Sequence, residues 1–187
     1  MININSIVPD FEVDAYQNNE IKKIKLSEYK GKWVILIFYP ADFTFVCPTE
    51  LEDASTYYEE VKNLGGEIMS ISTDTAFAHK AWHDSSPTIS KIQYPMLADP
   101  TGSVSMMFGT YIEAEGLSLR GTFIIDPDGV LKTIEIHANN IGRSAKEMLR
   151  KLQAAKFVRE HSENVCPANW EPGKEVLTPG IDLVGKI

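Results

Sequence analysis

The sequence predicts an α/β sandwich: a central mixed sheet flanked by helices, with a flexible C-terminal tail. Three observations carry this expectation. Trp33 to Tyr39 is a continuous apolar run, too short to span a membrane, and reads as a strand buried on both faces. From Cys47 onward, Leu51, Ala54, Tyr58 and Val61 recur in steps of three and four, the spacing of a helix with one face on a core. Glu67 to Ser72 then alternates as a second strand. Strand, helix and strand within about 40 residues make a βαβ unit whose crossover is right-handed. Ligand chemistry in such sheets gathers beyond the carboxyl ends of the strands, which is where Tyr39 hands the chain to Cys47.

Along the rest of the chain, residues 1–32 read as short edge strands around Ile21 to Leu26 and a turn before Gly31. The helix from Cys47 has Pro48 in its first turn, where a missing N–H costs nothing, and Gly65-Gly66 as its left-handed stop. Thr73-Asp74-Thr75 can cap a helix running through Phe77 and Trp82 toward Ile89 or Ile92, with Pro87 as a break. Met96 to Ala98 is a short strand, Gly102 to Phe108 a short helix and Tyr111 to Arg120 a loop. Gly121 to Ile125 and Val130 to Ile136 form a hairpin around Asp126-Pro127-Asp128-Gly129. Ser144 and Glu147 form a capping box for a helix that presents Ala145, Met148, Leu149, Leu152 and Ala155 on one face. This order is that of a thioredoxin-like sandwich, expected over residues 1–160, with a tail over 161–187 that carries Cys166.

Composition narrows the function. A chain of 187 residues can bury a full core without staples, and its formal charge of −8 with no Lys/Arg cluster argues against nucleic acid and anionic membrane as partners. Met1 to Phe11 has neither a basic nor an apolar leader region, and no stretch is long and apolar enough to span a bilayer, so a cytoplasmic protein is expected. Two cysteines far apart in a reducing compartment point to catalysis rather than to a staple or a metal knuckle. His79 and His83 stand four apart, a spacing that can bind metal, but without the acidic neighbour or third ligand of a zinc site they read as a packed pair. The acidic turn at Asp126 lacks the later oxygens of a calcium loop.

Cys47 is the chemical centre of this reading. A helix N-terminus presents unpaired N–H groups and partial positive charge, which favour thiolate over thiol, and the thiolate is the nucleophile. Thr44, three residues earlier, places a hydroxyl within reach of the sulfur or of what it attacks. The position three after Cys47, which a redox Cys-x-x-Cys pair would fill with sulfur, is Glu50, and the other cysteine of the chain is Cys166.

Pro40-x-x-x-Thr44-x-x-Cys47 resembles the active-site motif of peroxiredoxins, and Phe38 to Glu50 around it is similar to the two-cysteine members. Val165-Cys166-Pro167-Ala168 with Trp170 resembles their resolving segment, and Asp182 to Ile187 is similar to the bacterial alkyl hydroperoxide reductase branch. The resemblance implies that Cys47 is the peroxidatic cysteine, that Thr44 aligns the peroxide and that Pro40 shields the pocket. It implies that Arg120 stabilises charge at the sulfur and the leaving oxygen, with Glu50 and Arg143 in support. It also implies hydrogen peroxide and alkyl hydroperoxides as substrates, an intersubunit disulfide with Cys166, and homodimers assembled into decamers. The reductant would be a flavoprotein disulfide reductase or a thioredoxin-like protein, with no metal or bound organic cofactor. Where oxidation-sensitive relatives carry Gly-Gly-Leu-Gly, this chain has Ser85-Ser86-Pro87-Thr88, and their terminal Tyr-Phe helix has no counterpart in Gly180 to Ile187. Resistance to over-oxidation is therefore expected. A protein thiol-disulfide oxidoreductase and an oligomeric chaperone are the competing readings.

Overall fold

The structure, a computed structural model, describes residues 2–186; Met1 and Ile187, which end the two expected ranges, lie outside the described residues. The chain divides into two compact units at Ala145 and Lys146, so that the last long helix groups with the tail rather than with the sheet domain expected to reach residue 160.

In the first unit the strands are β1 (Glu12–Gln17), β2 (Glu20–Lys25), β3 (Trp33–Phe38), β4 (Gly66–Ser72), β5 (Met96–Ala98), β6 (Tyr111–Ile112), β7 (Leu117–Ser118), β8 (Arg120–Ile125) and β9 (Leu131–His137). Seven of them form one sheet in the order β2-β1-β5-β4-β3-β8-β9. β3, β4 and β5 are parallel, and β1, β8 and β9 run against their neighbours, so the sheet is mixed. β3 is buried along its whole length, as its unbroken apolar run requires.

Register assigns the two faces. Val34, Leu36 and Phe38 stand beside Met69, Ile71, Phe123 and Ile125, and this face forms one core with Val104 and Phe108. The opposite face carries Ile35, Ile37, Ile68 and Ile124 and, by the same period of two, Thr122 and Arg120. Thus Arg120 opens the buried strand β8 with its side chain toward the helices of that face.

Those helices are α1 (Cys47–Thr56), α2 (Tyr58–Asn63) and α3 (Ala76–Ser85). The single helix expected from Cys47 to Gly65 is broken at Tyr57, where the backbone adopts φ −103°, ψ 3°. The hydroxyls of Ser55 and Thr56 donate back to the carbonyls of Glu52 and Asp53 at 2.8 and 2.7 Å, a local competition that ends the α-helical ladder. Gly65 supplies the stop at φ +80°. α3 opens on Thr75, whose hydroxyl accepts from the N–H of Ala78, and ends before Pro87; a 3-10 turn, Ile89–Lys91, comes next.

Two further expectations need correction or sharpening. The expected loop Tyr111 to Arg120 holds the β6–β7 hairpin, whose two-residue strands are too short to show alternation, and its last residue already belongs to β8. The acidic turn after β8 is closed by its own backbone: Asp126 Oδ1 accepts from the N–H groups of Asp128 and Val130 at 3.0 and 2.9 Å. α4 (Ser103–Phe108) precedes the β6–β7 hairpin and is capped by Asp99, which accepts from the N–H of Val104 and Ser105.

The second unit is built on α5 (Ala145–Glu160), which opens directly after Ser144 and buries Met148, Leu149, Leu152 and Ala155, the face the spacing selects. The tail after it has local structure of its own. Val165 pairs with Leu177 in an isolated bridge, Trp170 lies 4.9 Å from the Phe157 ring, and Arg150 donates to the Trp170 carbonyl at 3.0 Å.

Candidate active site

Cys47 is the first residue of α1 and is fully buried, with no side-chain cap from Val46 before it. Glu50, one turn later on the same helical face, is buried with it. From β8 the guanidinium of Arg120 reaches both: Nη1 lies 3.3 Å from Cys47 Sγ and donates to Glu50 Oε2 at 2.6 Å. Its other donors, Nε and Nη2, are held by the carbonyl of Asn139 at 2.9 and 2.8 Å. Arg143 grips the same carboxylate bidentately, Nε to Oε1 at 2.8 Å and Nη2 to Oε2 at 3.1 Å, and donates to the Gly121 carbonyl and the Thr122 hydroxyl. Two guanidiniums and one carboxylate leave net positive charge beside a buried sulfur, and charge-assisted bonds of this kind are about twice as strong as neutral ones.

The titration of this cluster is set by its contacts. Burial alone would raise the Glu50 carboxyl, but the hydrogen bonds and charge of Arg143, then the charge of Arg120, outweigh it and hold Glu50 below its ordinary range. Burial alone would lower Arg120; the bond to Cys47 and the charges of Glu50 and the sulfur raise it instead. Arg120 therefore stays cationic.

Pro40 is buried at the end of β3, and Thr44 lies half-buried on the loop that joins it to Cys47. The Thr44 hydroxyl donates to the Ala41 carbonyl at 2.8 Å, which uses its hydrogen and leaves its oxygen as an acceptor. The structure thus brings Cys47, Arg120, Glu50 and Arg143 into contact and places Thr44 and Pro40 on the adjoining loop. Cys166 belongs to the second unit: a half-buried thiol, with its sulfur 4.0 Å from the Ala154 carbonyl. Burial pushes that thiol up, and the charge of Arg150 offsets the rise only in part.

Sequence reasoning missed two parts of the site. Asn139 acts through its backbone carbonyl, for which no residue type is a signal. His79 is not a ligand but a brace: its Nδ1 lies 2.8 Å from Asp42 Oδ2 and its Nε2 2.9 Å from the Leu97 carbonyl. His83 contacts Tyr16 and the Ile92 carbonyl, so the two histidines are a packed pair with separate partners.

Comparison with known proteins decides the family. Residues 4–134 match the model of the AhpC/TSA family, and residues 154–182 match that of the C-terminal domain of 1-Cys peroxiredoxin. Alkyl hydroperoxide reductase C of Bacillus subtilis (strain 168) is 53% identical over 184 residues, covering 98% of each chain. The chain belongs to the AhpC/TSA family and is a peroxiredoxin. Alkyl hydroperoxide reductase C of Escherichia coli (strain K12) is 49% identical, again over 98% of both chains. Among solved structures, Enterococcus faecalis AhpC superposes with a TM-score of 0.86 at 48% identity, covering 89% of this chain and all of that one. The reduced 2-Cys peroxiredoxin of Plasmodium vivax gives 0.92 at 30% identity, covering 96% and 94%. The second model is named for one-cysteine proteins, yet the matched segment of this peroxiredoxin contains Cys166. Its activity is that of a thiol peroxidase, and the sandwich is the thioredoxin-like fold of that family.

Proposed function

We propose that this peroxiredoxin reduces hydrogen peroxide and organic hydroperoxides in a two-cysteine cycle with Cys47 as nucleophile and Cys166 as resolving thiol. The observation that carries it is the donor Nη1 of Arg120 at 3.3 Å from Cys47 Sγ, fixed by Glu50 and Asn139. In the first step the Cys47 thiolate attacks one peroxide oxygen. The S–O bond forms as the O–O bond breaks, the sulfur is oxidised to a sulfenic acid, and the leaving oxygen takes a proton to depart as water or alcohol. Arg120 meets the charge that develops on that oxygen, and Thr44, with its own hydrogen spent on Ala41, accepts from the peroxide O–H. Pro40 excludes water from the approach.

In the second step Cys166 of the other subunit attacks the sulfenic sulfur and water leaves, giving the disulfide. A disulfide needs Cα atoms within about 7 Å, and Cys47 is enclosed, so the loop and the first turn of α1 unwind while residues 161–187 deliver the partner sulfur. A dithiol reductant then returns both cysteines by exchange. The family resemblance favours a flavoprotein disulfide reductase, with a thioredoxin-like protein as the other candidate. Two free cysteines that must be reduced each turn suit the cytoplasm. Homodimers assembled into a decamer suit the exposed rings of Phe43 and Phe45 on the active-site loop and of Phe77 on α3.

Stopped-flow oxidation of the reduced protein, with Cys47→Ser and Cys166→Ser and non-reducing gels, tests the cycle. The expected result is a fast phase absent only in Cys47→Ser and a disulfide-linked dimer in the wild type. Slow oxidation, alike in both variants, would reject the assignment and bring forward the disulfide-exchange and chaperone readings.

A further inference from the structure

The peroxidase cycle uses Cys47, Arg120 and their supports, but it leaves a second buried polar cluster unexplained. Tyr39, Asp42 and His79 are all buried, His79 completely. The Tyr39 hydroxyl donates to Asp42 Oδ1 at 2.7 Å, and His79 Nδ1 meets Asp42 Oδ2 at 2.8 Å, so both carboxylate oxygens are engaged. The far nitrogen of His79 is tied to the Leu97 carbonyl in β5. The backbone N–H of Asp42 donates to Asp74 Oδ2 at 2.8 Å, and Asp74 is itself held by the Ser72 hydroxyl at 2.7 Å. Burial first, and then the charge of Asp42, push the Tyr39 phenol well above its ordinary value, so it remains a donor. Asp42 is thereby pinned through side chain and backbone at once, by Tyr39 just after β3, by Asp74 just after β4 and by His79 of α3, itself tied to β5.

The next residue is strained. Phe43 has φ +55°, the left-handed region that a bulky residue rarely enters, and its side chain is 60% exposed. The pins on Asp42 therefore hold the entrance of the Cys47 loop in a conformation that its own backbone disfavours. Such strain is released when the loop opens.

We infer that Tyr39, Asp42 and His79 are positioning residues forming a clamp that sets the balance between the closed loop, which reacts with peroxide, and the open loop, which accepts Cys166. This rests on the two-cysteine cycle proposed above. Weakening the clamp blurs the placement of Thr44 and Pro40 and raises the population of the open loop. Peroxide capture slows and disulfide formation speeds up.

The test compares wild type with Asp42→Asn and Tyr39→Phe, the latter deleting one oxygen and serving alone if the former does not fold. Rapid-quench mass spectrometry follows the Cys47 sulfenic acid, the disulfide and the sulfinic acid separately. Disulfide formation from the sulfenic acid should become about tenfold faster, the ratio that loss of a buried hydrogen bond to a charged group carries, while peroxide capture slows and the sulfinate fraction falls. A purely structural cluster would lower the melting temperature and slow both steps; that result, or an unchanged disulfide step, overturns the clamp. Absence of a sulfenic acid in the wild type overturns the peroxidase cycle itself, before any variant is compared.

Discussion

Glu50 occupies the position that a Cys-x-x-Cys protein gives to its second sulfur, and the geometry explains the exchange. Three residues along a helix return to the same face, so whatever stands there meets whatever Cys47 meets. Here it is a carboxylate that fixes Arg120 and Arg143 together. Glu50→Gln leaves two buried guanidiniums facing one another without a counter-charge, and should cost about 3 kcal/mol of stability and misplace Arg120. The acid limb checks the cause. Because the folded Glu50 lies below its ordinary value, its contribution is complete above about pH 4.5 and is lost as pH falls through the depressed value. Urea unfolding of wild type should therefore weaken in acid more steeply than that of Glu50→Gln, and parallel curves would reject the assignment. Arg120→Lys keeps the charge but cannot span Asn139, Glu50 and the sulfur with one planar fork. Peroxide reduction, measured by stopped flow, should fall about 100-fold, the scale of losing an oxyanion donor.

At the scale of elements, the site is a helix start and a strand end brought together by a crossover. Much of that could be read from sequence, because the apolar run of β3, the proline after Cys47 and the alternation of β4 are each strong local signals. The break at Tyr57 could not, since it depends on two hydroxyls turning back on the helix, and the β6–β7 hairpin could not, since its strands are two residues long. His79 was visible as a residue but not in its role, because its partners Asp42 and Leu97 are remote in the chain and meet only in the folded sheet. The tail is the element whose titration is exposed to test. Burial holds the Cys166 thiol above its ordinary value of 9.0, and the thiolate is the attacking form. Disulfide formation, started from a preformed sulfenic acid, should accelerate about tenfold per pH unit between about pH 7 and 9. A flat profile would mean that Cys166 does not attack in the rate-limiting step.

For the whole molecule, the decisive quantity is how long the sulfenic acid waits. In the proposed two-cysteine cycle two processes compete for it: a second peroxide, which would carry the sulfur to the sulfinic acid, and Cys166, which would end in a disulfide. The waiting time grows with whatever holds the loop closed, and the two segments that differ from oxidation-sensitive relatives, Ser85 to Thr88 and the one from Gly180, have little local structure of their own. Ser85 to Thr88 closes α3 with a single turn, the Ser86 N–H donating to the Trp82 carbonyl at 2.9 Å before Pro87 forbids the helix from continuing. Gly180 onward forms one 3-10 turn, Ile181–Leu183, with Ile181 86% and Val184 74% exposed. A segment that leaves its large apolar side chains in solvent gains little from docking and releases at small cost. The open loop should therefore form before a second peroxide arrives. During turnover at low peroxide, mass spectra should show Cys47 as disulfide with sulfinate at trace level, and grafting the Gly-Gly-Leu-Gly segment with a Tyr-Phe tail should raise the sulfinate several-fold. Sulfinate accumulating in the wild type at the same dose would show that the waiting time is set elsewhere, and the clamp at Asp42, which packs against the loop from its other end, would be the place to look.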